Sequence, residues 1–258
     1  MIIKIIRIFI VLFILSIIAF FAYDYRNFSK IKNAEAKEQV NQALNDILKL
    51  NSSLRFQISH LLILNRDLFE ELIQNPESEK LIEKFDAIFN NNLPSYYTFS
   101  LADENGDLLT DHFFEKVGRL CRQDIHEFAV DESTTWLTIH PGPDEYHYDL
   151  MLPWNKNSKK RVVFLGFKID SLVEILKSRQ PIGRKLYIVR SDKNNLVEVS
   201  ANGSRDKMSN QLFLSDQIQY HISEPIEGTY WAIVDVIETP IYKLYYRERI
   251  AELLNSQH

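Results

Sequence analysis

The chain holds one cysteine, seven glycines and eight prolines in 258 residues. A single thiol, Cys121, excludes an internal disulfide and any zinc site built on two or more thiolates. It leaves the redox compartment open. No block of lysine and arginine occurs, and a net charge of -5 is spread along the chain, which argues against nucleic acid as a partner. Also missing are a Gly-rich phosphate loop, a Gly-x-Ser-x-Gly elbow and a His-Glu-x-x-His helix. Asp144 and Glu145 are paired carboxylates, but they sit in a loop with nothing to raise one pKa. Neither an enzyme nor a cofactor is expected. Asp103, Glu104, Asp107 and Asp111 lack the spacing of a calcium loop and read as turn residues.

What is present begins with an apolar run over residues 8–22, extended forward by Ile2, Ile3, Ile5 and Ile6. The run is close to the roughly 20 apolar residues that a membrane-spanning helix needs. Cleavage after Ala19 or Ala22 would put Ile17 or Phe20 where a signal peptidase wants a small residue, so an uncleaved anchor is expected. Lys4 and Arg7 precede the span, while Arg26, Lys30, Lys32 and Lys37 follow it, mixed with Asp24, Glu35 and Glu38. The charge count does not fix the topology, and the short basic tail favours an extracytoplasmic body.

Residues 24–74 contain neither glycine nor proline, which permits one long helix or two nearly continuous ones. Val40, Ile47, Leu54, Leu61 and Leu68 fill one heptad position, and Leu44, Asn51, Ile58, Asn65 and Leu72 fill the other. This seam can pair with a second copy, where a buried Asn favours a two-stranded register. It can equally pack on the chain's own sheet, since Leu48, Leu62 and Phe69 widen the stripe. Pro76 suits the first position of a shorter following helix.

From Tyr96 the pattern changes to strands. Residues 96–111 read as a hairpin with Asn105-Gly106 at its tip. Phe113, Val117, Cys121, Ile125 and Phe128 then form a helical stripe, which makes Cys121 a buried thiol first and a ligand second. Residues 136–152 read as two strands around Pro-Gly-Pro-Asp-Glu. Alternation places Trp136, Thr138 and His140 on one side of the first strand; on the second, His147, Asp149 and Met151 share a side opposite Tyr148, Leu150 and Leu152. Further strands are expected over 161–169, 185–190, 196–200 and 229–237, with a helix opened by a capping box at Ser171 and Glu174. The residues from Thr239 form an amphipathic helix too polar to be a second span.

The order of elements, with Phe99-Ser-Leu-Ala-Asp103-Glu-Asn-Gly106, Val117-Gly-Arg-Leu-Cys121-Arg-Gln-Asp124, Ile139-His-Pro and Tyr146-His-Tyr-Asp149, resembles the Cache and PAS-like extracytoplasmic sensor domains. Such domains lie ahead of bacterial diguanylate cyclases, histidine kinases and chemoreceptors. The resemblance implies an α+β fold: an N-terminal transmembrane helix and a long helix leading into an antiparallel sheet domain, with room for a second, smaller sheet. It divides the chain into an anchor (1–23), a helical stalk with a second helix (24–94), a sensor body (95–238) and a C-terminal amphipathic helix (239–258). No second span or output domain follows Glu238, so a separate signalling protein is the expected partner, beside a small-molecule ligand, the inner membrane and a second copy of the chain.

The candidate ligand-binding residues are Asp124, Trp136, His140, Tyr146, His147 and Asp149. Three readings of His140, His147 and Asp149 stay open. They can line a ligand pocket, form a hydrogen-bonded structural cluster, or bind a metal, the last needing Asp124 or Cys121 from a helix laid over the hairpin. The rival to a sensor is a ligand-free protein that docks a membrane partner through its coiled-coil helix and C-terminal tail.

Overall fold

The computed structural model describes residues 2–110, 116–131, 137–156, 159–193, 195–207 and 220–255. Helix α1 (Ile2–Leu64) runs unbroken from the apolar segment into the body, as the lack of glycine and proline permits. It is, among the described residues, the one helix long and apolar enough to cross a membrane. It stops at Asn65, whose side-chain amide bonds back to the Leu61 carbonyl at 2.9 Å. Helices α2 (Arg66–Gln74) and α3 (Glu79–Asn92) follow. Pro76 lies in the turn between them rather than at a helix start, and Ser78 takes the N-cap position of α3.

Two antiparallel sheets are set along α1. The first contains β1 (Tyr96–Ala102), β2 (Leu137–Pro141), β3 (Tyr146–Lys156) and β4 (Lys159–Lys168) in the order β1-β4-β3-β2. Helix α4 (Arg119–Val130) precedes β2, and α5 (Asp170–Arg179) links the sheets. The second contains β5 (Arg184–Arg190), β6 (Leu196–Ser200), β7 (Gly203–Ser204), β8 (Tyr220–Pro225) and β9 (Trp231–Ile237) in the order β7-β6-β5-β9-β8. Among the described residues the second sheet has one strand more than the first, but its strands are shorter on average and it is the smaller by residues. Helix α6 (Ile241–Asn255) closes the chain.

Three details depart from expectation. The segment after Asn105-Gly106 is not a full strand: β1 meets it through one bridge, Ala102 to Leu108, and pairs along its length with β4 instead. Gly106 is tucked under α4, where a Cβ would sit 2.5 Å from the His126 Cα, so the turn serves the helix rather than a hairpin. The capping box does not form; α5 starts two residues early with Ile169 at the N-cap position, and the Ser171 hydroxyl faces the Ser95 hydroxyl at 3.3 Å.

The heptad seam is covered from within the chain. Val40, Ile47, Leu54, Ile58 and Leu72 are buried in the main core with Phe85, Phe99, Tyr148, Leu150 and Leu165. A coiled coil through that face is thus unavailable. Asn51 is buried there too, with neither side-chain polar atom hydrogen-bonded. The sheets attach to α1 at successive levels: Arg249 of α6 reaches Asp24, Arg184 reaches Asn33, Arg179 reaches Gln42 and Asp46, and Arg55 reaches the Met151 carbonyl. At 1.5 Å per residue, Asp24 and Arg55 are about 45 Å apart along the helix. The second sheet therefore lies nearer the apolar segment and the first lies farther from it.

Candidate functional site

Strands β2 and β3 pair in the register that alternation requires, with His140 opposite His147 and Thr138 opposite Asp149. His140, His147 and Asp149 thereby share one face of the first sheet, while Tyr148 and Leu150 point into the main core. The loop between them needs its glycine. A Cβ at Gly142 would lie 2.5 Å from the His147 ring and 2.7 Å from the Glu145 carbonyl. On β4, Gly166 pairs opposite Asp149, and a Cβ there would crowd the Thr98 methyl at 3.0 Å.

Helix α4 lies over this face. Val117, Cys121, Ile125, Phe128 and Ala129 pack on Ala102, Met151, Val162 and Phe164, and that packing carries Cys121 and Asp124, three residues apart on one helical face, down to the histidines. Cys121 Sγ is 3.3 Å from His147 Nε2. His140 Nε2 is 2.9 Å from Asp149 Oδ2 and 3.4 Å from Asp124 Oδ2. His147 Nε2 is 3.2 Å from Asp149 Oδ1, an oxygen that nonetheless has no hydrogen bond of acceptable geometry. Each ring turns its other nitrogen to a backbone carbonyl: His140 Nδ1 to Pro141 at 3.2 Å, His147 Nδ1 to Glu145 at 3.0 Å. The Tyr97 ring lies against His147, with centroids 5.3 Å apart.

The cluster is largely interior: Cys121, His147 and Asp149 have no exposed surface and His140 has 3%. Burial opposes charge on His140, but the Asp149 carboxylate and the contact to Asp124 outweigh it and raise its pKa above the ordinary value. Burial, then the Asp149 charge, pushes the Cys121 thiol up. Tyr97 is pushed up to about 12, by burial first and then by Asp144 and Glu145.

Of the remaining candidates, Asp124 joins the cluster and Trp136 lies outside the described residues. Tyr146 is on the opposite face; its hydroxyl donates to Glu198 of β6 at 2.6 Å and so ties the first sheet to the second. Sequence reasoning missed a cleft of roughly 270 Å³ where α4 and β2 meet the second sheet. Asp124, Glu127, His140, Arg190, Lys193 and Trp231 line it, so His140 and Asp124 belong to both cleft and cluster. Arg190 stacks on the Trp231 ring at 5.5 Å and pairs with Asp192 at 2.9 Å. No local signal marks these residues, because strands far apart in sequence bring them together.

The closest guide to what this arrangement belongs to is the backbone. The sensor domain of the V. cholerae histidine kinase DctB superposes with a TM-score of 0.54 at 11% identity, over 83% of this chain and 99% of that one. The sensory domain of the Campylobacter jejuni chemoreceptor Tlp3 superposes with a TM-score of 0.51 at 10% identity, over 85% of this chain and 98% of that one. The chain shares the α+β fold of these two domains. No family model matches the sequence, and no relative among curated proteins does. In this sensor fold the metal-ligand types Cys121, His140, His147 and Asp149 offer one atom each, all within 4.8 Å of one another.

Proposed function

We propose that the chain is a single-pass, non-enzymatic sensory module of a bacterial inner membrane, with residues 1–23 as anchor and a periplasmic body at 95–238 that binds a small ligand. The observation that carries this reading is the cleft beside His140 on a Cache/PAS-like fold. It offers cations in Arg190 and Lys193, carboxylates in Asp124 and Glu127, and the Trp231 ring. A small polar molecule bearing both charges suits such a lining. Residues 24–94 would carry the bound state along α1, and 239–258 would pass it to a separate signalling protein. Self-association would use the outward face of α1, where Phe56 and Ile63 are exposed, because the heptad seam is occupied.

Thermal unfolding of the full chain in detergent, screened against amino acids, dicarboxylates and amines, tests this. One compound should raise the midpoint, since a ligand that binds only the native state stabilises it. The gain should disappear in Arg190→Ala and Trp231→Ala. A flat screen would overturn the reading. It would favour the second one, a docking protein, for which the apolar groove of Phe20, Phe21, Tyr246, Ile250 and Leu253 beside the span speaks.

A further inference from the structure

We infer that Cys121, His140, His147 and Asp149 together bind one divalent transition-metal ion of the zinc class, in a closed four-coordinate site that fastens α4 to the β2–β3 hairpin. The site shares His140 with the neighbouring cleft but needs no ligand there to be complete.

The first argument is the direction of the imidazoles. A carbonyl only accepts, so the Nδ1 atoms facing Pro141 and Glu145 carry the hydrogens. In the neutral rings both Nε2 lone pairs then point into the space shared with Asp149 and Cys121. A second hydrogen bond that fixes the tautomer and aims the free nitrogen is the usual support of a metal-bound histidine.

The second argument is a shortage of protons. Asp149 is fully buried, and its Oδ1 lies 3.2 Å from His147 Nε2 without a hydrogen bond. A thiol hydrogen from Cys121 would satisfy His147, and a proton on His140 would satisfy Asp149 Oδ2. Neither reaches Oδ1. A cation placed among the four atoms meets every one of them.

Geometry and charge agree. Ligands at zinc distances in a tetrahedron stand roughly 3.3–3.8 Å apart. Here His147 Nε2 stands 3.2 Å from Asp149 Oδ1 and 3.3 Å from Cys121 Sγ, and one ligand atom from each of the four residues lies within 4.8 Å of the others, so small outward shifts suffice. Two imidazoles, one thiolate and one carboxylate form a borderline-soft set suited to zinc rather than to magnesium or calcium. On binding, Cys121 forms an S–metal bond and His140 Nε2 an N–metal bond, and the thiol proton and any proton held on that nitrogen pass to solvent. The thiolate and the Asp149 carboxylate then balance the ion's two charges, which a buried site needs. Complete burial and four protein ligands describe a structural rather than a catalytic site.

Cys121 is the only cysteine, which makes the test direct. The full chain, purified in detergent without a histidine tag and stripped with a chelator, should take up one zinc per chain in competition with a chromophoric chelator. Cobalt in its place should give a thiolate-to-metal charge-transfer band with intense tetrahedral d–d absorption, and that band assigns the site without any variant. Cys121→Ser should abolish the band and weaken zinc binding at least about tenfold, as loss of even an outer-shell partner does. His60→Ala, on the exposed side of α1, should bind as the parent does. Failure to take up zinc at high micromolar concentration would overturn the site, as would cobalt binding without the thiolate band. If Cys121→Ser does not fold, the cobalt spectrum of the parent decides alone.

Discussion

The two sheets bury polar groups in opposite ways. In the second, the carboxylate of Asp235 is met by the Arg184 guanidinium, with Asn33 of α1 on its other side. Asp235 also keeps one oxygen without a hydrogen bond, but its charge has a permanent partner. In the first, Asp149 is just as buried and is surrounded by groups that become good donors of electron pairs: two imidazoles and a thiol. No arginine or lysine enters that space among the described residues. A buried carboxylate can therefore be handled by supplying a fixed cation from the chain or by leaving a position that only a proton or a metal fills. The fixed pair supports a fold; the open arrangement makes the fold conditional on what occupies it.

The largest expected effect comes from breaking the fixed pair. Arg184→Ala leaves Asp235 buried and unpaired and should cost about 3–5 kcal/mol, measured by chemical denaturation. Leu150→Ala tests the apolar side of the first sheet; it should cost about 2–5 kcal/mol through the cavity it leaves. Zinc should separate the sheets more sharply. At a hundredfold excess over its dissociation constant it should stabilise the parent by about 2.7 kcal/mol, while Asp149→Asn should gain far less. Equal stabilisation of both proteins would remove the distinction between the sheets.

The smallest effect concerns the bond that joins them. Tyr146→Phe removes one hydrogen bond to Glu198 and should cost about 1 kcal/mol near neutral pH. Burial raises the Glu198 pKa and the Tyr146 hydroxyl partly lowers it, so the substitution raises it further. A carboxyl with a raised folded pKa contributes stability below its unfolded pKa and loses it as pH rises through the folded one. The cost of Tyr146→Phe should therefore shrink below about pH 4, where Glu198 is protonated in both states. Denaturation series at the two pH values would show it, and an equal cost at both would mean that Glu198 keeps its proton at neutral pH.

The face assignment on β3 was legible because period-2 alternation leaves only two registers, and the Tyr148 and Leu150 side suits an apolar core. The two faces themselves were not distinguished by burial. Alternation says which residues point together; it does not say that α4 will cover the polar side. For that reason His147 could be read as a pocket wall, although it has no exposed surface. Cys121 was read correctly as buried from its helical stripe, but a stripe does not tell what lies at the end of the side chain. The same limit applies to α1, where a heptad pattern fits a second copy and the chain's own sheets equally well. Strands β7 and β8 went unread; β7 is two residues long, and β8 holds His221, Ser223 and Glu224 in place of a clean apolar alternation.

The arginine contacts along α1 have a mechanical side. Asn33 is nine residues from Asp24 and nine from Gln42, about two and a half helical turns in each case. Arg184 consequently grips the rod on one flank, and Arg249 and Arg179 grip it on the other. A shaft held on both flanks resists rolling either way, since loosening one grip by rotation tightens the shaft against the other. Shifting its register by a single residue would swing every grip about 100° out of line. Rotation of α1 about its own axis is thereby tied to the positions of α5, β5 and α6, which carry these arginines.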